Sequence, residues 1–191
     1  MISINTKIAL GTLSVFTALT LVGAATYAYF TDSGTSSNNI FTTGNLNLVL
    51  ANGAGTDEEN VTATFGGTNL APGVCLDPAT LNIKNASGSV AANHINVSAA
   101  NTNSGLAAYL WLKTLTYDGV DVVIADGNSN GIRDLQDLAT SGMSNYALTD
   151  VGVAHPLVME VCLHTSATLD QAGQSNTLDL TVLLDQGPSS P

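Results

Sequence analysis

Basic residues are scarce in this chain. Four Lys and Arg stand against 15 Asp and Glu, a formal charge of −11, and a surface this acidic excludes binding to nucleic acid through phosphate neutralisation. Charge of either sign is sparse as well, at 10% of residues, which excludes a helical bundle or coiled coil with a charged outer face. Disorder is excluded from the other side, because 45% hydrophobic residues supply ample material for a core. Catalytic signatures are missing too: there is no His-Glu-x-x-His, Gly-x-Ser-x-Gly, phosphate loop or dinucleotide fingerprint. His94, His155 and His164 are scattered along the sequence. The expectation from these absences is a protein that is not an enzyme.

What is present begins with an export signal. Lys7 precedes an apolar, small-residue run from Ile8 to Ala25, followed by Thr26-Tyr27-Ala28, so cleavage is expected between Ala28 and Tyr29 by signal peptidase. The run is about 18 residues long, barely enough to span a bilayer, and it is interrupted by Gly11, Thr12, Ser14, Thr17, Thr20 and Gly23. Any membrane attachment would pass through this segment uncleaved. The expected organisation is a signal over residues 1–28, an N-terminal segment over 29–40, one domain over 41–186 and a tail over 187–191. In an exported chain the two cysteines, Cys75 and Cys162, are expected to pair, with two buried free thiols as the alternative. Closing so long a loop contributes about 4 to 5 kcal/mol in the chain-entropy view.

Periodicity of two dominates the remainder and helical periodicity is nearly absent. Residues 45–50 alternate through Leu46, Leu48 and Leu50, and Val61–Phe65 repeats the pattern briefly. Leu81 with Ile83, and Ile95 with Val97, mark two more short strands. Tyr109–Tyr117 sets Tyr109, Trp111, Lys113, Leu115 and Tyr117 on one face against Leu110, Leu112, Thr114 and Thr116 on the other. Both faces are largely apolar, as expected of a central strand. Val120–Ile124, Leu157–Leu163 and Leu178–Asp185 complete the set, the last with Leu178, Leu180, Val182 and Leu184 inward. Many short strands joined by polar turns predict an all-β fold, a jelly-roll-like antiparallel β-sandwich.

The period breaks at residues 126–137. Asp126, Asn128, Asn130, Asp134 and Asp137 occupy positions 1, 3, 5, 9 and 12 of a loop with Gly131 at position 6, the oxygen-rich spacing of a calcium loop. Ile132 would offer its carbonyl, Asp134 would act through water, and Asp137 would close the ring. Leu135 and Leu138 predict one short helix after the loop. With three carboxylates, the expected Ca²⁺ affinity is weak, roughly 10⁻⁴ to 10⁻³ M. The alternative is an Asn- and Gly-rich turn without an ion. Three sequons, at Asn60, Asn85 and Asn96, make these asparagines glycosylation candidates.

At the junction of signal and mature chain the residues carry a resemblance. Ala28-Tyr29-Phe30-Thr31-Asp32, then Asn39-Ile40-Phe41-Thr42-Thr43-Gly44-Asn45-Leu46-Asn47-Leu48, resembles the N-terminus of the TasA/camelysin family, exported with SipW-dependent signals. Leu70-Ala71-Pro72-Gly73, Asn85-Ala86-Ser87-Gly88 and Thr177–Gln186 are similar to later family elements. The middle of the chain, with the calcium-type loop, does not match the bacterial fibre protein, which is Lys-rich and lacks cysteine, and the departure suggests a divergent, archaeal member. The resemblance implies a secreted jelly-roll subunit of an extracellular fibre or pilus in a biofilm matrix, its partner another copy of itself. Subunits would join head to tail by donor-strand complementation, with Tyr29, Phe30, Asp32, Ile40 and Phe41 at the donor end. The family's other label implies a camelysin-like surface metallo-endopeptidase, and the Asp126–Asp137 loop alone would suit a calcium-dependent adhesin.

Overall fold

The computed structural model describes residues 4–6, 8, 11, 45–62 and 64–187. The chain divides into two units, Met1–Thr42 and Thr43–Pro191. In the first, residues 4–6, 8 and 11 are helical. Ala28, Tyr29, Phe30, Asp32, Ile40 and Phe41 lie outside the described residues, and among the described residues no helix is long and apolar enough to cross a membrane.

The second unit is an antiparallel β-sandwich. Its strands are β1 (Leu48–Asn52), β2 (Ala79–Asn85), β3 (His94–Asn101), β4 (Leu110–Tyr117), β5 (Val120–Asp121), β6 (Met143–Ala147), β7 (Ala154–Leu163) and β8 (Leu178–Asp185). A five-stranded sheet has the order β1-β2-β7-β4-β5 and a three-stranded sheet the order β6-β3-β8. Alternation of apolar and polar residues makes this possible, since each sheet needs one apolar face against the other. Ile83, Leu112, Leu115, Leu157 and Met159 from the larger sheet share a single core with Ile95, Val97 and Val182 from the smaller. The helical elements are α1 (Ser104–Ala107), α2 (Leu135–Ser141) and a 3-10 turn at Leu169–Gln171.

Several expectations need correction. Strict alternation in β4 fails because the register against β7 shifts between Leu112 and Thr114. This bulge turns the strand over, so Leu110 and Leu112 before it and Leu115 and Tyr117 after it all enter the core. Leu115 and Tyr117 thus face the same side as Leu110 and Leu112, while β4 lies inside its sheet, between β7 and β5, as expected. Val61–Phe65 is not a strand among its described residues. The Asn52 amide instead donates to the carbonyl of Thr62 at 2.9 Å, a side chain standing in for a ladder partner. Val120–Ile124 shortens to the two residues of β5. Strand β6 was not expected at all: Met-Ser-Asn-Tyr-Ala carries little apolar alternation, and Asn145 has φ +62°, a conformation that breaks the pleat.

Candidate functional site

The Asp126–Asp137 loop lies between β5 and α2 and draws its polar side chains together. Both Asp126 carboxylate oxygens accept backbone N–H bonds, from Asn130 at 3.2 Å and Gly131 at 2.9 Å. Asn128 Oδ1 accepts from Asn130 N at 3.0 Å, and Asn130 Oδ1 from Ile132 N at 2.7 Å. The turn requires left-handed backbone at Gly131 (φ +76°) and Ser129 (φ +57°). Glycine meets the first without a Cβ penalty. Asp134 is the N-cap of α2, and with Asp137 it forms a reciprocal capping box: Asp134 Oδ1 accepts from Asp137 N at 2.9 Å and Asp137 Oδ2 from Asp134 N at 3.2 Å. The other Asp134 oxygen accepts from the amides of Asn128 at 3.1 Å and Asn130 at 2.8 Å. Asp137 Oδ1 reaches back to Gly127 N at 2.9 Å.

Both capping carboxylates are fully buried. Neither forms an ion pair with Lys, Arg or His among the described residues, since Arg133, their neighbour, pairs with Asp121 instead. The five expected side chains therefore share one loop, with an all-oxygen donor set that suits a hard cation such as Ca²⁺. Ile132 is half-buried in the same turn.

A second group lies on the outer face of β7. Cys75 bonds Cys162, as expected, so neither thiol is free. Three backbone bonds hold the pair in register: Gly73 N to Leu163 O at 2.7 Å, Leu163 N to Val74 O at 3.0 Å and Leu76 N to Val161 O at 2.9 Å. Glu160 stands two residues before Cys162 on the same face, paired with Lys113 Nζ at 2.8 Å and the Thr114 hydroxyl at 3.1 Å. The Lys113 hydrogen bond holds the Glu160 carboxyl below its ordinary range, against a smaller opposing push from burial. The sulfurs and a Glu160 oxygen lie within 4.8 Å of one another. Neither Glu160 nor this convergence was singled out in the sequence, although strand alternation sets Glu160 on one face with Cys162. Strand spacing of i and i+2 signals it only once Cys75 is known to lie opposite.

The histidines stay apart. His94 Nε2 lies 3.5 Å from Asp185 Oδ2, His155 Nδ1 lies 2.6 Å from Asp118 Oδ2, and His164 Nδ1 lies 2.8 Å from Ser166 Oγ. His155 stacks on Tyr117, with ring centroids 6.1 Å apart, and its Nε2 has no hydrogen-bond partner among the described residues. Burial, with a smaller contribution from Asp118, pushes the Tyr117 hydroxyl well above its ordinary value.

The sequons fare unequally. Asn60 is exposed and Asn96 half-buried. Asn85 is fully buried, and its amide donates to Val90 O at 2.7 Å. Asn85 is therefore withdrawn as a glycan site, because the folded core leaves no room for a sugar on its nitrogen.

The remaining feature is an edge. Among the described residues strand β8 pairs only with β3, and beside it a groove of about 460 Å³ is lined by Leu50, Val61, Phe65, Leu81, Leu178 and Leu180 among others. Residues 3–108 match the family model described as camelysin metallo-endopeptidase. The chain belongs to the camelysin family. Membership agrees with the resemblance carried by the N-terminal residues, and it corrects one expectation: a family described as metallo-endopeptidases overturns the reading of this chain as a non-enzyme. That reading came from the want of short linear zinc motifs, and a zinc site assembled from distant strands leaves no such motif. Neither curated proteins nor solved structures give a match to this chain.

Proposed function

We propose that this camelysin-family chain is an exported subunit that assembles into extracellular fibres by donor-strand complementation. The observation that carries the reading is the edge of β8, unpaired among the described residues, beside a groove where Leu50, Val61, Phe65, Leu178 and Leu180 alternate with Thr62, Thr64, Asn176 and Asp179. An unpaired edge presents a row of N–H and C=O groups that an incoming strand satisfies, while alternate side chains fill the groove. The occupant is residues 29–40 of a second copy, where Tyr29, Phe30 and Ile40 are apolar points in a polar stretch. Such a contact is head to tail and does not close on itself, so filaments follow. Calcium belongs to the same reading: Asp126, Asn128, Asn130, the Ile132 carbonyl, Asp134 and Asp137 would hold one Ca²⁺, which stabilises the subunit by mass action.

Negative-stain electron microscopy of the protein beginning at Tyr29, beside a version lacking residues 29–39, tests assembly. Filaments from the first and monomers from the second are expected. Monomers from both refute it. The family description favours a second reading, a metal-dependent endopeptidase, tested by chelator-sensitive cleavage of an unstructured protein such as casein.

A further inference from the structure

We infer that Cys75, Cys162 and Glu160 form a metal site masked by the disulfide: when a thiol reductant opens the bond, the two sulfurs and the Glu160 carboxylate take up one thiophilic divalent cation, Zn²⁺ above all. The positions of the three groups carry this inference, for their ligand atoms already lie within 4.8 Å of one another. The backbone bonds flanking the pair leave Cys75 and Cys162 directly opposite at a position without ladder bonds of its own, where cross-strand side chains approach most closely. None of those bonds depends on sulfur, so the strands stay in register after reduction. Two thiolates bound to one zinc at about 2.3 Å each sit roughly 3.5 to 4 Å apart, a separation that opposed cysteines reach without moving the backbone. Glu160 follows on the same face of β7 by strand alternation. Lys113, whose side chain is about half exposed, remains close to offset the negative charge of two thiolates and a carboxylate.

The chemistry balances. Two external thiols reduce the disulfide by two electrons and leave as their own disulfide, and two cysteine protons are released as the metal binds. Metal and disulfide are then alternative occupants of the same two sulfurs. Three protein ligands leave a fourth tetrahedral position open to water, unlike the closed set of a purely structural zinc. Both sulfur ligands come from residues that a search for Cys-x-x-Cys or His-rich spacing passes over.

The test uses the full chain, oxidised or reduced, with excess Ca²⁺ present to occupy oxygen-rich loops. Native mass spectrometry with Zn²⁺ should find one ion per reduced chain and none per oxidised chain. Titration of the reduced protein with Co²⁺ should produce the strong sulfur-to-cobalt charge-transfer absorption of a thiolate site. Glu160→Gln keeps the disulfide and should weaken Zn²⁺ binding by roughly tenfold or more, and Cys75→Ser should abolish the charge-transfer band. Circular dichroism checks that each variant is folded. Equal zinc uptake by the oxidised chain, no uptake by the reduced one, or unchanged affinity in folded Glu160→Gln would overturn the inference.

Discussion

Replacing Asp134 by Ala should be among the most damaging single changes on the surface-facing loops, because one buried carboxylate serves three donors. Its Oδ1 caps the Asp137 N–H, and its Oδ2 accepts from the Asn128 and Asn130 amides. Loss of the cap costs about 1 kcal/mol, and each of the two lost amide bonds costs roughly 0.5 to 1.5 kcal/mol, since half-buried Asn128 keeps Gln136 Oε1 and exposed Asn130 keeps Ala108 O as acceptors. The sum is about 2 to 4 kcal/mol, a large share of the 5 to 15 kcal/mol that holds a domain together. Urea denaturation monitored by Trp111 fluorescence reads it as a lowered midpoint with unchanged slope. Repeating the titration in 10 mM Ca²⁺ and in chelator separates the cap from the ion. With Kd of about 10⁻⁴ to 10⁻³ M, the wild type should gain roughly 1.4 to 2.7 kcal/mol from calcium, and Asp134→Ala should gain less. A variant within 0.5 kcal/mol of wild type in chelator would refute the weight given to the buried cap. Wild-type midpoints that coincide with and without calcium would refute the ion.

Other outcomes follow from the core and its edges. Leu112→Ala and Leu115→Ala should each cost about 2 to 5 kcal/mol by urea titration, whereas Lys113→Ala at the bulge should fall within about 1 kcal/mol; a Leu115→Ala cost no larger than that of Lys113→Ala would contradict the turned-over strand. Tyr117→Phe gives up the hydroxyl's bond to Ala147 O, worth about 1 kcal/mol near neutral pH. The wild-type tyrosine is held protonated in the fold, so its stability contribution is present below the ordinary tyrosine pKa of about 10 and is lost as pH rises above it; the variant should lack that alkaline loss in melting curves taken across the range. Peptide mapping of chain produced in a glycosylating host should find no sugar on Asn85, with Asn60 the more accessible acceptor.

The strands that sequence reading located best are those whose inward residues are Leu, Ile or Val at strict alternation. β8 is the clearest, with its bounds and inward face both as expected. The β4 bulge was hidden because Trp111 and Tyr109 are apolar as well, so composition could not tell the two faces apart. β6 has only Met143 and Tyr146 to mark it, and its pairing to β3 is a tertiary outcome that local pattern does not carry. In the candidate site the loop spacing was plain, since calcium-type ligands sit at fixed offsets. Burial of Asp134 and Asp137 was not, because it depends on α2 packing its Leu135 and Leu138 into the core. Cys75 and Cys162 were paired correctly by number alone, but Glu160 beside them required the strand register.

The bond between Cys75 and Cys162 also decides how the domain would bear load. The two residues are 87 apart in sequence, and β2 to β6 lie wholly inside that interval, with nearly all of β7. Tension applied through the two ends of the sandwich is therefore shunted across the sulfur bridge, and only β1 and β8 remain free to peel. About 300 Å of extended chain, at roughly 3.4 Å per residue, stays locked behind one covalent bond. The sandwich is thus a stiff link whose extensible parts are its two outermost strands in sequence, and cutting the bridge would convert it into a long, yielding one.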